Sequence, residues 1–288
     1  MVLVFYCASI YSLGRRGTDL WGDDVGGLFE RVMIRLFNCD NMDFMKSVPD
    51  KFYDLAIVDP PYGIGDDGRK HKGRIFRKDG THILKKDPRN GNVIRIKAQK
   101  YKLDSGYDNS QPEQSYFNEL LRVSKHQIIW GENYMDFNQK STSSGRIVWD
   151  KVNGESDQSD CEIAWTSKHI SVRIFSYMWS GMLQGRSAIE GKISQGNRLL
   201  CEKRIHPNHK PTVLYKWLIK NYAKEGDKIL DTHGGSLSIA IACGEMGFDL
   251  DACELDPDYF RDSVARVKLH FTQSNAFIRT PEILINPI

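Results

Sequence analysis

Long hydrophobic runs are missing from this 288-residue sequence: its longest apolar stretches reach only about ten residues, roughly half of what a membrane-spanning helix needs. The opening MVLVFYCASIYSLGRR has neither a basic leading segment nor a small-residue cleavage site, so an unexported, cytoplasmic protein is expected. Cysteine is sparse and scattered. Cys7, Cys39, Cys161, Cys201, Cys243 and Cys253 form no C-x-x-C pair and no tight Cys/His cluster, which argues for reduced thiols and against a disulfide framework or a metal site. There is no internal repeat, no low-complexity tract and no complete G-x-G-x-x-G fingerprint. Hydrophobic residues make up 40% of the chain, enough for a full core.

What is present is unevenly distributed. Between Asp66 and Ser110 there are thirteen Lys/Arg against six Asp, a local charge of +7, whereas the other 243 residues hold 27 basic against 31 acidic side chains. A concentrated basic segment of this kind suits contact with phosphates, and Tyr101 and Tyr107 lie near its end. Residues 1–32 show no sustained period and contain the breaker-rich GRRGTDLWGDDVGG; they are expected to be a loose extension of a single domain spanning 33–288. A second segment, 181–205, is rich in Gly, Ser and Arg and carries Arg186, Lys192 and Arg198, making it a short candidate reader of a target.

From Met33 onward, strand and helix patterns alternate: strand 33–37, helix 42–48, strand 54–58, then, past the basic segment, helix 112–124 and a strand at HQIIWG. RIVWD, CEIAWTS and VRIFSYMW are β-branched and aromatic runs that suit adjacent strands. Near the other end, Thr212 is placed to cap a helix with apolar positions Val213, Leu214, Trp217, Leu218 and Tyr222. The strand KIL follows and runs into DTHGGS, the apolar helix LSIAIACGEM and the strand FDLDACE. This β-turn-α-β unit, with an acid nineteen residues after Gly235, predicts an α/β fold with a doubly wound, mostly parallel sheet.

Two acids, Asp231 and Glu254, end successive strands of that unit and are expected in the same crevice, where an acid in the Glu254 position can take both hydroxyls of a ribose. Asp40, just after the first strand, has the character of a helix cap. The stretch DLAIVDPPYGIG is different in kind. Pro60 and Pro61 fix φ and donate no amide hydrogen, so the chain beyond the strand is a stiff mount for Asp59 and Tyr62. Asp59 and the Pro60 carbonyl offer acceptors beside a ring face, a combination that suits an exocyclic amino group on a planar base.

Together, DPPY, HPNHKP, DTHGGS and ELDPDY resemble the motifs of S-adenosylmethionine-dependent DNA adenine-N6 methyltransferases of the DPPY type. The likeness covers roughly residues 33–270. The catalytic motif precedes the cofactor motifs, the permuted, beta-class-like order, and WGENY, IVWDK, CEIAWTS and IFSYMW resemble blocks of phage- and prophage-type members. The resemblance implies a Rossmann-like methyltransferase fold in circularly permuted order, with the basic segment as an insertion. It implies that Asp59, Pro60, Pro61 and Tyr62 hold a flipped adenine, and that Asp40, Lys210, Pro211, Asp231, Gly234, Gly235, Ser236 and Glu254 hold the cofactor, S-adenosylmethionine. DNA is the implied partner, without a membrane; a homodimer and a restriction-enzyme partner are compatible with it. Leu237 in the third glycine position and Thr232-His233 in place of the more usual Pro-Phe depart from the pattern. Cytosine N4, RNA adenine and protein glutamine amides are alternative substrates of related pockets; a catalytically inactive DNA-binding relative and a nicotinamide-dependent oxidoreductase are alternative classes.

Overall fold

Strands that are apolar on both faces have to be covered on both faces, and the architecture follows from that requirement. A computed structural model describes residues 31–64, 108, 110–152, 159–168, 170–180, 183–185, 202–206, 208–273 and 280–287. Residues 1–30, nearly all of the basic segment 66–110 and most of the candidate reader 181–205 therefore lie outside the described residues.

The elements in chain order are β1 (Met33–Asn38), α1 (Asn41–Lys46), β2 (Tyr53–Val58), α2 (Gln114–Val123), β3 (Ser124–Trp130), β4 (Arg146–Asp150), β5 (Cys161–Thr166), β6 (Val172–Ser176), β7 (Met178–Ser180), β8 (Leu183–Gly185), α3 (Thr212–Tyr222), β9 (Lys228–Asp231), α4 (Ser238–Met246), β10 (Asp249–Glu254), α5 (Pro257–Gln273) and β11 (Glu282–Pro287). Among the described residues nine strands form one sheet in the order β11-β1-β10-β9-β2-β3-β5-β4-β6, and β7 and β8 pair antiparallel in a separate two-stranded sheet. From β11 to β3 every neighbouring pair is parallel; β5 is antiparallel to both β3 and β4, and β6 is parallel to β4. The mostly parallel α/β sheet expected from the sequence is present, and the three β-rich runs are neighbours in it.

Side-chain alternation along the strands divides the core in two. Leu55, Ile57, Ile128, Trp130, Ile229 and Leu250 join α3, α4 and α5 on one face. Ala56, Val58, Ile129 and Leu230 join Phe44 and Met45 of α1 and Tyr116, Phe117, Leu120 and Val123 of α2 on the other. Arg122 fastens α2 to α1 by donating to the Val48 and Met45 carbonyls at 2.7 and 2.6 Å while pairing with Asp50 and Glu119.

One local expectation changes. Thr212 does not cap α3: the N-cap is Pro211, and Thr212, the first helical residue, gives its amide and its hydroxyl to the Glu202 carboxylate at 3.1 and 2.7 Å. A charged acceptor supplied from outside the helix replaces the side-chain cap. No element is expected from the sequence in the stretch that forms β11; it pairs in parallel with β1, and an edge is where a sheet tolerates proline.

Strand order in the sheet departs from chain order, with a direct spatial result. β9, late in the chain, lies beside β2, early in the chain, and with β10 and β1 it places four acids in a row at the carboxyl ends of four adjacent strands. In sheet order these are Asp40 after β1, Glu254 ending β10, Asp231 ending β9 and Asp59 after β2. Strand spacing sets the row at about 14 Å from end to end.

Candidate active site

The glycine turn begins where β9 ends. Gly234 donates its amide to the Cys253 carbonyl at 2.7 Å, and a Cβ there would meet Leu237 Cδ2 at 2.8 Å and the Cys253 oxygen at 3.1 Å. Gly235 adopts φ +50°, with its amide on Glu254 Oε2 at 2.7 Å. Leu237, in the place of a third glycine, is itself left-handed, φ +53°, and fully buried. Burial of the leucine in the core offsets a backbone strain of about 1 kcal/mol, so the loop keeps a glycine-like path without the glycine.

Glu254 accepts the Gly235 amide on one oxygen and the Asp256 amide, at 2.9 Å, on the other. A carboxylate has about four lone-pair sites, so acceptor capacity remains for a hydroxyl donor. Burial pushes the Glu254 carboxyl above its usual range against the Asp256, Gly235 and Leu255 amides. Asp231 is also buried; its Oδ1 accepts the His233 amide at 2.9 Å. Burial lifts its carboxyl to about 8, the neighbouring charges of Asp59 and Glu254 add to the rise, and the His233 amide opposes it. A desolvated acid of this kind is poised for a cation. Asp40 is exposed and caps α1, accepting the Met42 and Asp43 amides at 2.8 and 3.1 Å.

The Thr232-His233 pair has a consistent role. Asn41 donates to His233 Nε2 at 3.0 Å, and Nδ1 stands 3.0 Å from the Thr232 hydroxyl, which in turn meets the Tyr116 hydroxyl at 2.7 Å. Burial drops the His233 imidazole to about 3, so the ring is neutral and ties the turn after β1 to the turn after β9. Ser236 faces inward: its hydroxyl is 3.1 Å from Ser238 Oγ, and its carbonyl accepts from Arg266 at 2.7 Å. Arg266 also pairs with Glu202, which takes the Thr212 donors and lies 3.2 Å from His209 Nε2. This cluster fixes His209 and Thr212 against α4 and α5 and sets the position of Pro211 and Lys210 between them.

Lys210 is 4% exposed, and its ammonium lies 2.5 Å from Asp59 Oδ2, 2.9 Å from Glu162 Oε2 and 3.2 Å from the Tyr62 hydroxyl. Sequence reasoning assigned it to the cofactor; the structure puts its charged end among Asp59, Tyr62 and Glu162. Burial works against the ammonium, but the Asp59 and Glu162 carboxylates outweigh it and raise Lys210 above its usual range. Asp59 itself is pushed up by burial and restrained by Lys210 and the Tyr62 hydroxyl, which donates to Oδ1 at 2.6 Å. With lysine the far stronger base, the pair is ionised and Asp59 is an acceptor.

Tyr62 is held from three sides. Its amide and that of Gly63 donate to Asp108 Oδ1 at 2.6 and 2.9 Å. Its ring lies parallel to Tyr134, with centroids 5.3 Å apart and planes at 16°. A Cβ on Gly131, which has φ +73°, would stand 2.1 Å from the Tyr62 ring. Asp108, Gly131, Tyr134 and Glu162 are the site residues that sequence reasoning missed. Gly131 carried a readable signal, a lone glycine between Trp130 and Glu132 at a strand end; Asp108 and Glu162 carried none, since only the fold brings them to the loop.

Asp59, Tyr62, Asp231 and Glu254 thus converge on one sheet edge. Among the described residues no group of His, Cys, Asp and Glu could hold a metal ion, no disulfide forms, and no helix is long and apolar enough to cross a membrane.

Comparison with solved structures gives distant likenesses. The M1.HpyAVI–SAM complex is 15% identical, with 81% of this chain and 100% of that one covered and a TM-score of 0.44. TTHA0409 from Thermus thermophilus, complexed with S-adenosyl-L-methionine, is 14% identical over 88% of this chain and 98% of that one, also at 0.44. The PvuII DNA methyltransferase, cytosine-N4-specific, is 13% identical over 86% and 91%, at 0.45. A family model described as DNA methylase matches residues 75–265, about two thirds of the sequence, starting downstream of Tyr62. The chain belongs to the DNA methylase (N6/N4 methyltransferase) family.

Proposed function

We propose that this chain transfers a methyl group from S-adenosylmethionine to the N6 amino group of an adenine flipped out of DNA. The observation that carries the reading is the adjacency of two different sites on one sheet edge. An ionised acceptor and an aromatic ring follow β2, and a desolvated acid ends β9, the next strand. Asp231, Gly235 and Glu254 fit the cofactor by chemistry: a buried acid that would take its ammonium, a left-handed glycine turn with room where a Cβ would stand, and a carboxylate with acceptor capacity left for its ribose hydroxyls. The cofactor supplies an electrophilic methyl group on a sulfonium sulfur.

The protein's part is positional. An aromatic amino nitrogen is a weak nucleophile because its lone pair is shared with the ring. Asp59 and the Pro60 carbonyl accept its two hydrogens, which favours a pyramidal nitrogen with the lone pair free to react. Removing the base from the duplex costs a few kcal/mol, and stacking on an aromatic side chain returns about 1–3 kcal/mol of it. The proton released afterwards passes to Asp59 or to water. Aspartate rather than serine at position 59 favours adenine over cytosine, and the basic segment 66–110 favours DNA over a protein amide.

Three outcomes test the reading. Long-read sequencing of DNA from cells expressing the wild type is expected to reveal a methylated motif that is absent with Asp59→Ala; equal methylation in both would refute it. Asp231 must ionise to meet the cofactor ammonium, and its carboxyl lies at about 8 in the free protein. A raised carboxyl favours the folded, ligand-free state below its ordinary range and loses that contribution as pH climbs through about 8. Cofactor binding therefore releases a proton, and affinity rises by up to about tenfold per pH unit from about pH 6 before levelling near 8. Titration calorimetry in buffers of different ionisation enthalpy measures this, and a pH-independent affinity contradicts it. Gly131→Ala is expected to push the Tyr62 ring aside, lowering kcat on the order of tenfold or more while cofactor affinity stays the same; unchanged kcat would show that the ring has no part in turnover.

A further inference from the structure

Both Asp59 oxygens already have donors: Tyr62 at Oδ1 and Lys210 at Oδ2. An amino group arriving at Asp59 must compete with a buried ammonium, and a neutral amine cannot displace a cation from a carboxylate unless the cation has another carboxylate to go to. Glu162 is that second carboxylate. It projects from β5, with Oε1 held by Lys151 at 2.7 Å and Oε2 2.9 Å from Lys210 Nζ. Oε2 is fully buried, and Lys210 is the cation beside it. Two carboxylates therefore share two ammonium groups, and Lys210 already stands within ion-pair distance of both.

We propose that Glu162 is a positioning residue: it receives Lys210 when the target amino group docks, and so releases an oxygen of Asp59 to that group. The distances make the move small, since Lys210 needs only to exchange its shorter contact for its longer one. Lys151 makes it specific, because it occupies the other oxygen and leaves Oε2 as the one turned to Lys210. The remaining charged or titratable groups around Asp59 are Tyr62 on its own loop, Tyr116 from α2 and Asp231 from β9, none of them a cation. The inference rests on the functional reading given above and adds the residue that makes Asp59 available.

The test is a double-mutant cycle in methyl-transfer kinetics, with tritiated S-adenosylmethionine and duplex DNA as probes, on the wild type, Glu162→Gln, Lys210→Gln and the double variant. In Glu162→Gln the ammonium has only Asp59 to pair with, so kcat is expected to fall on the order of tenfold or more while the KM for the cofactor stays within about twofold. Once Lys210 is glutamine there is no cation to receive, and replacing Glu162 as well is expected to change kcat by less than about twofold. Losses that multiply independently, or full activity in Glu162→Gln, would overturn the proposal. Circular dichroism checks folding, and if Glu162→Gln does not fold, Glu162→Asp, which keeps the charge but shortens its reach, takes its place in the same cycle. A wild-type chain that transfers no methyl group to any DNA overturns the functional reading and this inference together.

Discussion

A buried ammonium must be neutralised, and in this fold that requirement joins parts of the chain that are far apart in sequence. Lys210 comes from the segment before α3, Asp59 from the loop after β2, and Glu162 from β5. If any of them moved by the width of an atom, a charge would be left in the interior without a partner, at a cost of several kcal/mol. The loop after β2 is thereby held by more than its prolines. Asp108 takes its amides, Gly131 makes room for its ring, and Tyr134 lies against that ring.

The second organising fact is the place of β9 in the sheet. A parallel sheet gathers the carboxyl ends of its strands on one edge, and the crevice opens where the winding direction changes. Here the change falls between β9 and β2, so the strand that leads into the glycine turn stands next to the strand that leads into Asp59. Asp40, Glu254, Asp231 and Asp59 are ordered in space although they are numbered 40, 254, 231 and 59. Chain order does not dictate this arrangement, because strand adjacency and not sequence adjacency decides what meets at the edge.

How much of this the sequence discloses depends on the range of the interaction. Period and composition locate β2, β3, β9, β10, α3 and α4 closely, since each is decided by its own side chains. The stiffness of Asp59–Tyr62 and the turn at Gly234–Gly235 are equally local. What the sequence does not disclose is non-local. Thr212 looks like a cap until Glu202 is seen to take its amide, and Lys210 looks like part of a cofactor segment until its ammonium is found on Asp59. Leu237 looks like a defect in a glycine loop until its side chain is found buried and its backbone left-handed. Thr232-His233 looks like a mere departure from the usual Pro-Phe until its neighbours show a neutral ring joining two turns. In each case a partner distant in sequence decides the role.

The central claim is that an ionised, clamped Asp59 accepts hydrogens from the amino group of an adenine. It is tested most directly by incubating the purified chain with duplex DNA and S-adenosylmethionine carrying a deuterated methyl group, digesting the DNA to nucleosides, and identifying the labelled product by mass spectrometry. The account predicts label in N6-methyldeoxyadenosine. Label in N4-methyldeoxycytidine, or no label in DNA, would contradict it.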